Sequence, residues 1–447
     1  MRARLRALLN RRVSRKRGVA LIVVIVTAAV FAAVMTELMF NSSVDLEGAA
    51  SARDQVRAEY LARSAINLGR LAIKTQMLID QNLKNPQAAS MMGAFANFQL
   101  ADMVPMLAKV FGGESDERAG LTSMFGIEPG SLKGLGVGAN ATFDLQMVSE
   151  DGKINLNCGA GLNDQPRQAI LYGVLSALFY PPRYNPIFEA PDADGQYMTR
   201  DDVARAIIDW ADIDDQRYSP DGKSGGAEDY RYDVGKDPYR AHNHRFDTVE
   251  EVNLVRGMGD QLWGTFGEML TVYGGCKVNL NALKQEHWPL MAAIIRATVK
   301  DDQKQNPVLV DDALLGQAAQ QILSLSQMMG GFQSVGQFVQ LVSNPAQALQ
   351  TLGQNNSNSN SNNSSSSSSS NSGLQGIALD PVKVGNVATT GPRRLWRLDA
   401  TGTIKRTAKR KIEVHIRAVW DTMHFNQNTT SQDPNDRMGT WVYWRQD

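Results

Sequence analysis

The hydrophobic pattern of the chain changes most sharply near its N-terminus. From Val19 to Met35 there is no charged side chain, and Thr27 is the only polar one. Extended to Phe40, the apolar run has 22 residues. As an α-helix it would be about 33 Å long, enough to cross the hydrocarbon core of a bilayer. The pattern therefore predicts a membrane-spanning helix.

Apolar and small residues keep a helical spacing beyond this run, with charged residues between them. We predict one helix from Val19 to about Met77, with its first half in lipid and its second half amphipathic. A separate soluble helix after a break is the alternative for residues 41–77.

The distribution of charge predicts the topology. Eight Lys or Arg side chains precede the apolar run, and no acidic residue occurs before Glu37. The positive-inside rule therefore predicts a cytoplasmic N-terminus with the rest of the chain outside the cytoplasm. Because the net charge of the whole chain is zero, the remainder carries minus eight, which disfavours a body that binds nucleic acid. A cleaved secretory signal peptide and a plain membrane anchor are the alternatives.

Strand patterns occur in the middle and at the end of the chain. Residues 141–156 alternate between apolar and polar around Glu150-Asp-Gly152. This predicts a hairpin, because Asp-Gly supports the positive φ angles of a tight turn. Residues 394–400 and 411–420 also alternate, and they predict paired antiparallel strands that complete the same sheet.

Helical patterns fill the region between these strands. The segments 154–158 and 275–281 both contain Asn-Leu-Asn, and they lie at the two ends of a block of helical patterns. The predicted fold class is therefore α+β, with a long N-terminal transmembrane and amphipathic helix packed on an antiparallel sheet and a large inserted all-helical domain. Helices are predicted at residues 165–179, 199–210, 247–255, 260–270, 285–300 and 311–342.

The predicted domain boundaries follow these patterns and the composition. Residues 355–373 contain only Asn, Ser and a final Gly, so they cannot bury apolar surface and form a linker or loop. Methionines between residues 87 and 136 predict local core packing, with an interaction patch as the alternative. The divisions are a basic leader (1–18), the N-terminal helix (19–77), a first α+β part with the Met-rich segment (78–157), the inserted helical domain (158–275), strand and helical segments (276–354), the linker (355–373) and the C-terminal strands (374–447).

The start of the apolar run carries a family resemblance. Arg17-Gly18 followed at once by a hydrophobic helix resembles the processing site of type IV pilin-like proteins, where a prepilin peptidase cuts after the glycine. The resemblance implies that Val19 becomes the new N-terminus. In most of that family the fifth residue after the cut is glutamate, but here it is Val23. The type II secretion minor pseudopilin K family (general secretion pathway protein K) characteristically lacks this glutamate, so Val23 points to that family.

An acidic segment holds the most informative polar residues. Between Asp192 and Asp237 there are 13 Asp or Glu and 6 Lys or Arg. Such a region repels itself unless it is solvated or bound to cations, and oxygen ligands on glycine-bearing loops suit calcium. An EF-hand starting at Asp212 is excluded, because its sixth position would be Arg217 instead of glycine. Solvated turns and helix caps are the alternative interpretation.

Three stretches of this region resemble the inserted helical domain of the pseudopilin K family. They are Asp209-Trp-Ala-Asp212, the Gly-Gly-Ala-Glu-Asp-Tyr run that ends at Tyr230, and residues 247–272. That family is known for calcium sites in this domain. The resemblance implies calcium ligands at Asp212, Asp214, Glu228 and Asp229, with weaker matches at Asp209 and Asp221.

The chain contains two cysteines, Cys158 and Cys276, which would face an oxidising compartment. Each lies beside one of the Asn-Leu-Asn strands at the ends of the predicted insertion. A disulfide between them would therefore pin the two stems of the inserted domain.

Two other classes of function compete with this resemblance. Residues 254–259 (Leu-Val-Arg-Gly-Met-Gly) resemble the hairpin of helix-hairpin-helix DNA-binding domains, but Glu250, Glu251 and Asp260 flank them and would repel DNA. A tight turn between helices is the simpler interpretation. For an enzyme, the sequence has no H-E-x-x-H, G-x-S-x-G or P-loop pattern, so catalysis is not expected.

The sequence thus predicts a non-enzymatic minor pseudopilin of a type II secretion system, located at the tip of the periplasmic pseudopilus. The resemblance implies a single pass through the inner membrane, a periplasmic bulk, processing by prepilin peptidase and methylation. Expected partners are other minor pseudopilins in a tip complex, the major pseudopilin shaft, the peptidase and inner-membrane lipid, without nucleic acid. The alternatives are a minor subunit of a type IV pilus or DNA-uptake fibre, or a membrane-anchored DNA receptor.

Overall fold

The computed structural model describes residues 16–83, 100–111, 140–161, 164–191, 195–223, 226–228, 232, 238–345, 376–407, 410–422 and 439–447. The predicted linker and most of the Met-rich segment lie outside these ranges. The described helices and strands, joined by short 3-10 helices, are α1 (Lys16–Leu83), α2 (Leu100–Phe111), β1 (Ala141–Ser149), β2 (Ile154–Asn155), α3 (Gln165–Phe179), α4 (Asn185–Phe188), α5 (Arg200–Ala211), α6 (Asp260–Phe266), β3 (Leu270–Thr271), β4 (Val278–Asn279), α7 (Trp288–Thr298), α8 (Pro307–Val310), α9 (Asp312–Met328), α10 (Val335–Ser343), α11 (Pro381–Val387), β5 (Ala388–Thr389), β6 (Leu395–Thr407), β7 (Arg410–Asp421) and β8 (Thr440–Gln446).

Helix α1 is continuous over 68 residues, in agreement with the single helix predicted from the sequence. Its apolar side chains between Val19 and Phe40 are exposed, and the helix is long and apolar enough to cross a membrane. The hydroxyl of Thr27 donates to the carbonyls of Val23 and Val24, so this polar group is satisfied within the helix. Helix α1 therefore fits a single-pass membrane anchor.

The main sheet has four strands in the order β1-β6-β7-β8, and all neighbours are antiparallel. The predicted pairing of the two C-terminal alternating segments is confirmed by β6 and β7. The predicted hairpin at residues 141–156 is wrong, because β1 pairs with β6 while β2 leaves the sheet and pairs with β3. Asp151 explains the difference: its Oδ2 accepts hydrogen bonds from the backbone N–H groups of Arg394 (2.5 Å) and Leu395 (2.8 Å). The predicted turn thus holds the start of β6.

The second half of α1 packs on this sheet at very close range. The contact uses small residues, and a Cβ added to Gly402 of β6 would run into the backbone of Ala58 and Ala62. Buried Asp54 of α1 accepts a 2.7 Å hydrogen bond from Arg406 Nε. Burial raises the pKa of Asp54, but Arg53 and Arg406 outweigh it and lower the pKa below its ordinary value.

The region between β1 and β6 forms a separate helical body with one continuous apolar core from Ile154 to Ala388. The apolar core of this body therefore continues beyond residue 275, where the inserted domain was predicted to end. The physical reason is that α7 packs between α3 and α9, so helices on both sides of residue 275 share the core. The helix predicted over residues 311–342 is two helices, because Gly330 and Gly331 adopt φ values of 74° and 102° between α9 and α10.

The two Asn-Leu-Asn segments make the same set of hydrogen bonds. Asn157 donates to the carbonyls of Phe246 and Val272 and accepts from Phe246 N. Asn281 likewise donates to the carbonyls of Phe332 and Thr390 and accepts from Phe332 N. Strands β2 and β4 also pair in parallel with β3 and β5, respectively. The helical body is therefore built from two similar halves.

Candidate metal centre

Helix α5 supplies the first of three converging carboxylates. The helix starts at a capping box, in which Thr199 Oγ1 accepts from Asp202 N and Asp202 Oδ2 accepts from Thr199 N. Asp209 lies in the last turn of this helix, on its buried face. Asp212 follows directly after the helix and donates its backbone N–H to the carbonyl of Ile208. Both side chains are buried, at 3% and 2% exposure.

A returning loop brings the third carboxylate to the same place. Gln216 and Ala227 form an isolated antiparallel bridge, and Arg217 N donates to the carbonyl of Gly226. Gly226 has φ of 98°, a conformation that favours glycine. Glu228 thereby comes beside Asp212 and is 4% exposed.

Asp209, Asp212 and Glu228 each offer an oxygen, and these oxygens lie within 4.8 Å of one another. Burial raises the pKa of Asp209 to about 8, although a hydrogen bond from Tyr218 N opposes the shift. Burial raises the pKa of Asp212 to about 7, and nearby Asp214 adds to the shift. Burial and then Asp212 raise the pKa of Glu228 to about 10. The three groups cannot all ionise at neutral pH without a compensating positive charge.

Hydrogen bonds satisfy only part of this cluster. Asp209 Oδ1 accepts from Tyr218 N at 2.6 Å, and Asp212 Oδ2 accepts from Gln168 Nε2 at 2.9 Å. Asp212 Oδ1 and both carboxylate oxygens of Glu228 are buried, and no donor group of another described residue reaches them. A hydrogen bond between these two side chains, which lowers the pKa of Asp212 and raises that of Glu228, requires that one of them keeps its proton. Buried oxygens of this kind are costly unless a cation or donor reaches them.

The nearest cationic side chains are engaged elsewhere. Arg205 pairs with Asp201 at 2.6 Å, and Arg217 pairs with Asp202 at 2.5 Å. The cluster therefore presents converging, unpaired carboxylate oxygens without a protein cation among its described ion pairs. Such a set of hard oxygen donors fits a divalent cation such as calcium.

The structure brings together three of the six residues predicted as metal ligands. Asp214 is half-buried and close enough to raise the pKa values of Asp212 and Glu228, although it is not in the converging group. Asp221 is exposed and accepts hydrogen bonds from Ser219 Oγ and Lys223 N, so it does not join the cluster. Asp229 lies outside the described residues.

Two residues near the cluster were not found from the sequence. Gln168 of α3 orients Asp212, and Asn243 Nδ2 donates to Asp214 O (3.1 Å) and Asp215 Oδ1 (3.0 Å). Asn243 has φ of 48°, and its buried Oδ1 has no partner in the described residues. The only local signal for these contacts of Asn243 is its position between two histidines in a polar loop.

The stems of the helical body are covalently joined. Cys158 and Cys276 form a disulfide with a Cα–Cα separation of 5.1 Å, which lies within the usual range. Asn155 Nδ2 also donates to the carbonyl of Gly274 at 2.8 Å. The bond and the hydrogen bond together hold the first half of the body closed at its base.

The glycine hairpin at residues 257–259 packs inward. Gly257 has φ of 84°, and an added Cβ would lie 2.7 Å from Val203 Cγ2 and 3.0 Å from Met198 Cβ. The first glycine of the hairpin therefore allows close packing against α5. This accounts for the tight turn without a phosphate ligand.

One comparison covers the segment that contains this cluster. Residues 192–275 match the family model for the type II secretion system (T2SS), protein K. The resemblance to type II secretion protein K is confirmed. All three converging carboxylates lie in the matched residues 192–275, whereas Gln168 and Cys158 lie before them.

The other comparisons are weaker. The crystal structure of the GspK-GspI-GspJ complex from the enterotoxigenic Escherichia coli Type 2 Secretion System aligns with 69% of this chain and 80% of the matched chain. The identity is 12% and the TM-score is 0.36. No curated protein matches the sequence.

Proposed function

We propose that the chain is a minor pseudopilin at the tip of the periplasmic pseudopilus of a type II secretion system, which drives the export of folded proteins across the outer membrane. The match of residues 192–275 to protein K carries this proposal. A 68-residue helix with an exposed apolar N-terminal half, joined to a large folded head, supports it. In this role the protein is a structural subunit and not an enzyme.

A tip position follows from the lack of a carboxylate at Val23. After cleavage behind Gly18, the new amine would be at Val19 and the fifth residue would be Val23. A carboxylate at that position neutralises the amine of a neighbouring subunit in an apolar fibre core, where an unpaired charge is costly. Because valine cannot do this, the subunit does not fit within a stack of equivalent subunits and fits at its end.

The same proposal gives the membrane arrangement. The basic leader stays in the cytoplasm, α1 crosses the inner membrane once, and the head lies in the periplasm. Prepilin peptidase removes residues 1–18, and the new N-terminus is methylated. Other minor pseudopilins form a tip complex with the head, and the complex stands on the shaft of the major pseudopilin.

We further propose that the carboxylate cluster binds calcium. Asp209, Asp212 and Glu228 would hold the ion, with Asp214 beside it. The ion would supply the positive charge that compensates their buried carboxylate oxygens. Its role would be structural. The loop that carries Glu228 would then be fixed against α5, which gives the head a defined surface for its partners.

Secretion and fibre position test the function. In cells that lack the chromosomal gene for this protein, we expect export of the type II substrate to be lost. Expression of the full-length chain should restore it. Cross-linking should trap the protein at one end of the pseudopilus. Val23→Glu should move part of it into the shaft, while Val24→Glu, a matched charge one position away, should not. A native protein distributed along the shaft would refute the tip position.

A further inference from the structure

A groove of about 380 Å³ lies between α1 and the edge strand β8. Its walls combine two cationic and two aromatic side chains with one aliphatic and one amide side chain. The lining residues are Arg63, Ile66, Asn67, Arg70, Trp441 and Trp444. The groove lies between α1 and the four-stranded sheet, and none of the residues of the candidate metal centre lines it.

A β-bulge builds the aromatic wall of this groove. Strand β8 pairs Trp441 with Trp420 and Tyr443 with Val419, so Val442 is an extra residue in the ladder. In a regular strand Trp441 and Trp444 would point to opposite faces, because side chains alternate. The bulge changes the alternation and lets both indoles line the α1 side, where their ring centroids are 5.1 Å apart.

Arg70 lies between aromatic rings without an acidic partner among the described residues. Its guanidinium carbon is 5.3 Å from the ring centroid of Trp420 and 5.0 Å from that of Trp441. Its side chain makes one long hydrogen bond, 3.5 Å to Asn67 Oδ1, and its buried Nε has no partner in the described part of the chain. Neighbouring Arg63 differs, because it pairs with Glu59 at 2.6 Å.

The unmet polar group of this site is a hydrogen-bond donor, because Arg70 Nε is buried and has no acceptor among the described residues. Burial lowers the pKa of Arg70, which reflects the cost of keeping its charge away from water. A guanidinium binds a carboxylate through two parallel hydrogen bonds, and the aromatic walls would strengthen that pair by excluding water. The complementary ligand is therefore an anionic acceptor.

We propose that this groove receives an aspartate or glutamate side chain from a neighbouring pilin-like subunit. This inference rests on the proposed function. The position along α1 favours a protein over a lipid headgroup, because Arg70 lies 30 residues beyond Phe40, about 45 Å along the helix. The exposed side chains of Tyr60 (64%) and Leu71 (59%) share the helix face of Asn67, so a partner helix could pack on a continuous surface beside the groove.

The test uses the full-length protein in detergent and the other minor pseudopilins of the same secretion system. We expect Arg70→Met to weaken the complex at least ~10-fold, because it removes one partner of a desolvated charge pair. Arg70→Lys keeps the positive charge but not the paired N–H donors of the guanidinium, so it should weaken binding less. Arg445→Met is the matched control on β8, since Arg445 is exposed and pairs with Asp447. Its dissociation constant should stay within about twofold of the wild type.

A photo-reactive residue at position 444 identifies the occupant in the same complex. The expected product is a cross-link to a peptide of another minor pseudopilin that carries Asp or Glu. Reversing that acid to Arg should weaken binding, and combining it with Arg70→Glu should restore it. Cross-links only to lipid or to the chain itself would contradict the proposal.

Other outcomes separate this inference from the proposed function. If Arg70→Met and the wild type bind equally well, the groove is not the docking site, although the pseudopilin complex still forms. If the wild type forms no complex with any minor pseudopilin, both proposals are wrong.

Discussion

Asp212 and Glu228 stand 16 positions apart in the sequence and bring buried carboxylates together in the same cluster. Between them the chain runs out through the exposed turn at Asp221 and returns beside Gln216. Burial raises both pKa values, and Asp212 raises that of Glu228 further. Apart from the contact between the two side chains, three of their four oxygens have no hydrogen-bond partner in the described residues. The pair is the point at which metal binding would affect the stability of the head.

Metal removal should therefore destabilise the protein. A ligand that binds only the native state adds about 2.7 kcal/mol at 100 times its dissociation constant. We expect a chelator to lower the melting temperature and calcium to restore it more fully than magnesium, which demands a tighter octahedron. The double variant Asp212→Asn/Glu228→Gln should lose this response, and Asp221→Asn should keep it. Equal melting of the wild type with chelator and with calcium would contradict the metal centre.

The same cluster predicts a dependence on pH. Because the folded pKa values of Asp209 and Asp212 are raised to about 8 and 7, the native state keeps protons that the unfolded state releases near pH 4. Without metal, stability should fall as pH rises from about 4 towards 8. Melting curves in chelator at pH 5.5 and 8 should show this fall. Saturating calcium, which binds the ionised form, should remove it, and a fall of the same size with calcium would argue against binding here.

Gly402 should be essential for the contact between α1 and the sheet. In Gly402→Ala the new methyl group would meet the backbone of Ala58 and Ala62, which cannot move cheaply. We expect a loss of about 1–3 kcal/mol in the free energy of unfolding. Gly48→Ala is the control in α1, because nothing lies within 4 Å of its added Cβ. It should stabilise the helix by about 0.5–1 kcal/mol. Denaturant unfolding of both variants would decide, and a harmless Gly402→Ala would refute the close packing.

The disulfide should hold the helical body closed. Cys158 and Cys276 are 118 residues apart in the sequence, and a loop of that size would be worth about 4–5 kcal/mol in the chain-entropy model. Cys158→Ser/Cys276→Ser should lower the free energy of unfolding by up to that amount, and reductant should lower it in the wild type only. Alkylation of protein purified without reductant should find no free thiol. Two free thiols per chain would be the contrary result.

Local patterns predicted the helices well. The predicted helix over residues 165–179 coincides with α3, and α1 differs from its predicted end at Met77 by six residues. Both depend on spacing within a few turns, which the sequence displays directly. The pair β6 and β7 was also predictable, since the two strands are neighbours in the chain and both alternate.

Long-range partners could not be predicted in this way. The hairpin at residues 141–156 fits local turn chemistry, but β1 pairs with β6, which lies about 250 residues away in the chain. The acidic residues of the metal centre were visible, yet Gln168 and Asn243 reach them from separate segments. Asp209, the weaker match, is one of the three converging carboxylates, because its place on the buried face of α5 brings it beside Asp212 and Glu228.

The mass and first residue of the protein purified from membranes test the central claim most directly. If the chain is a pseudopilin, prepilin peptidase removes residues 1–18, so the mature protein should begin at Val19 and carry one added methyl group. Gly18→Val, which alters the cleavage site, should leave the leader in place, while Gly48→Ala should be processed normally. A native protein that still begins at Met1 in cells with active prepilin peptidase would contradict the account.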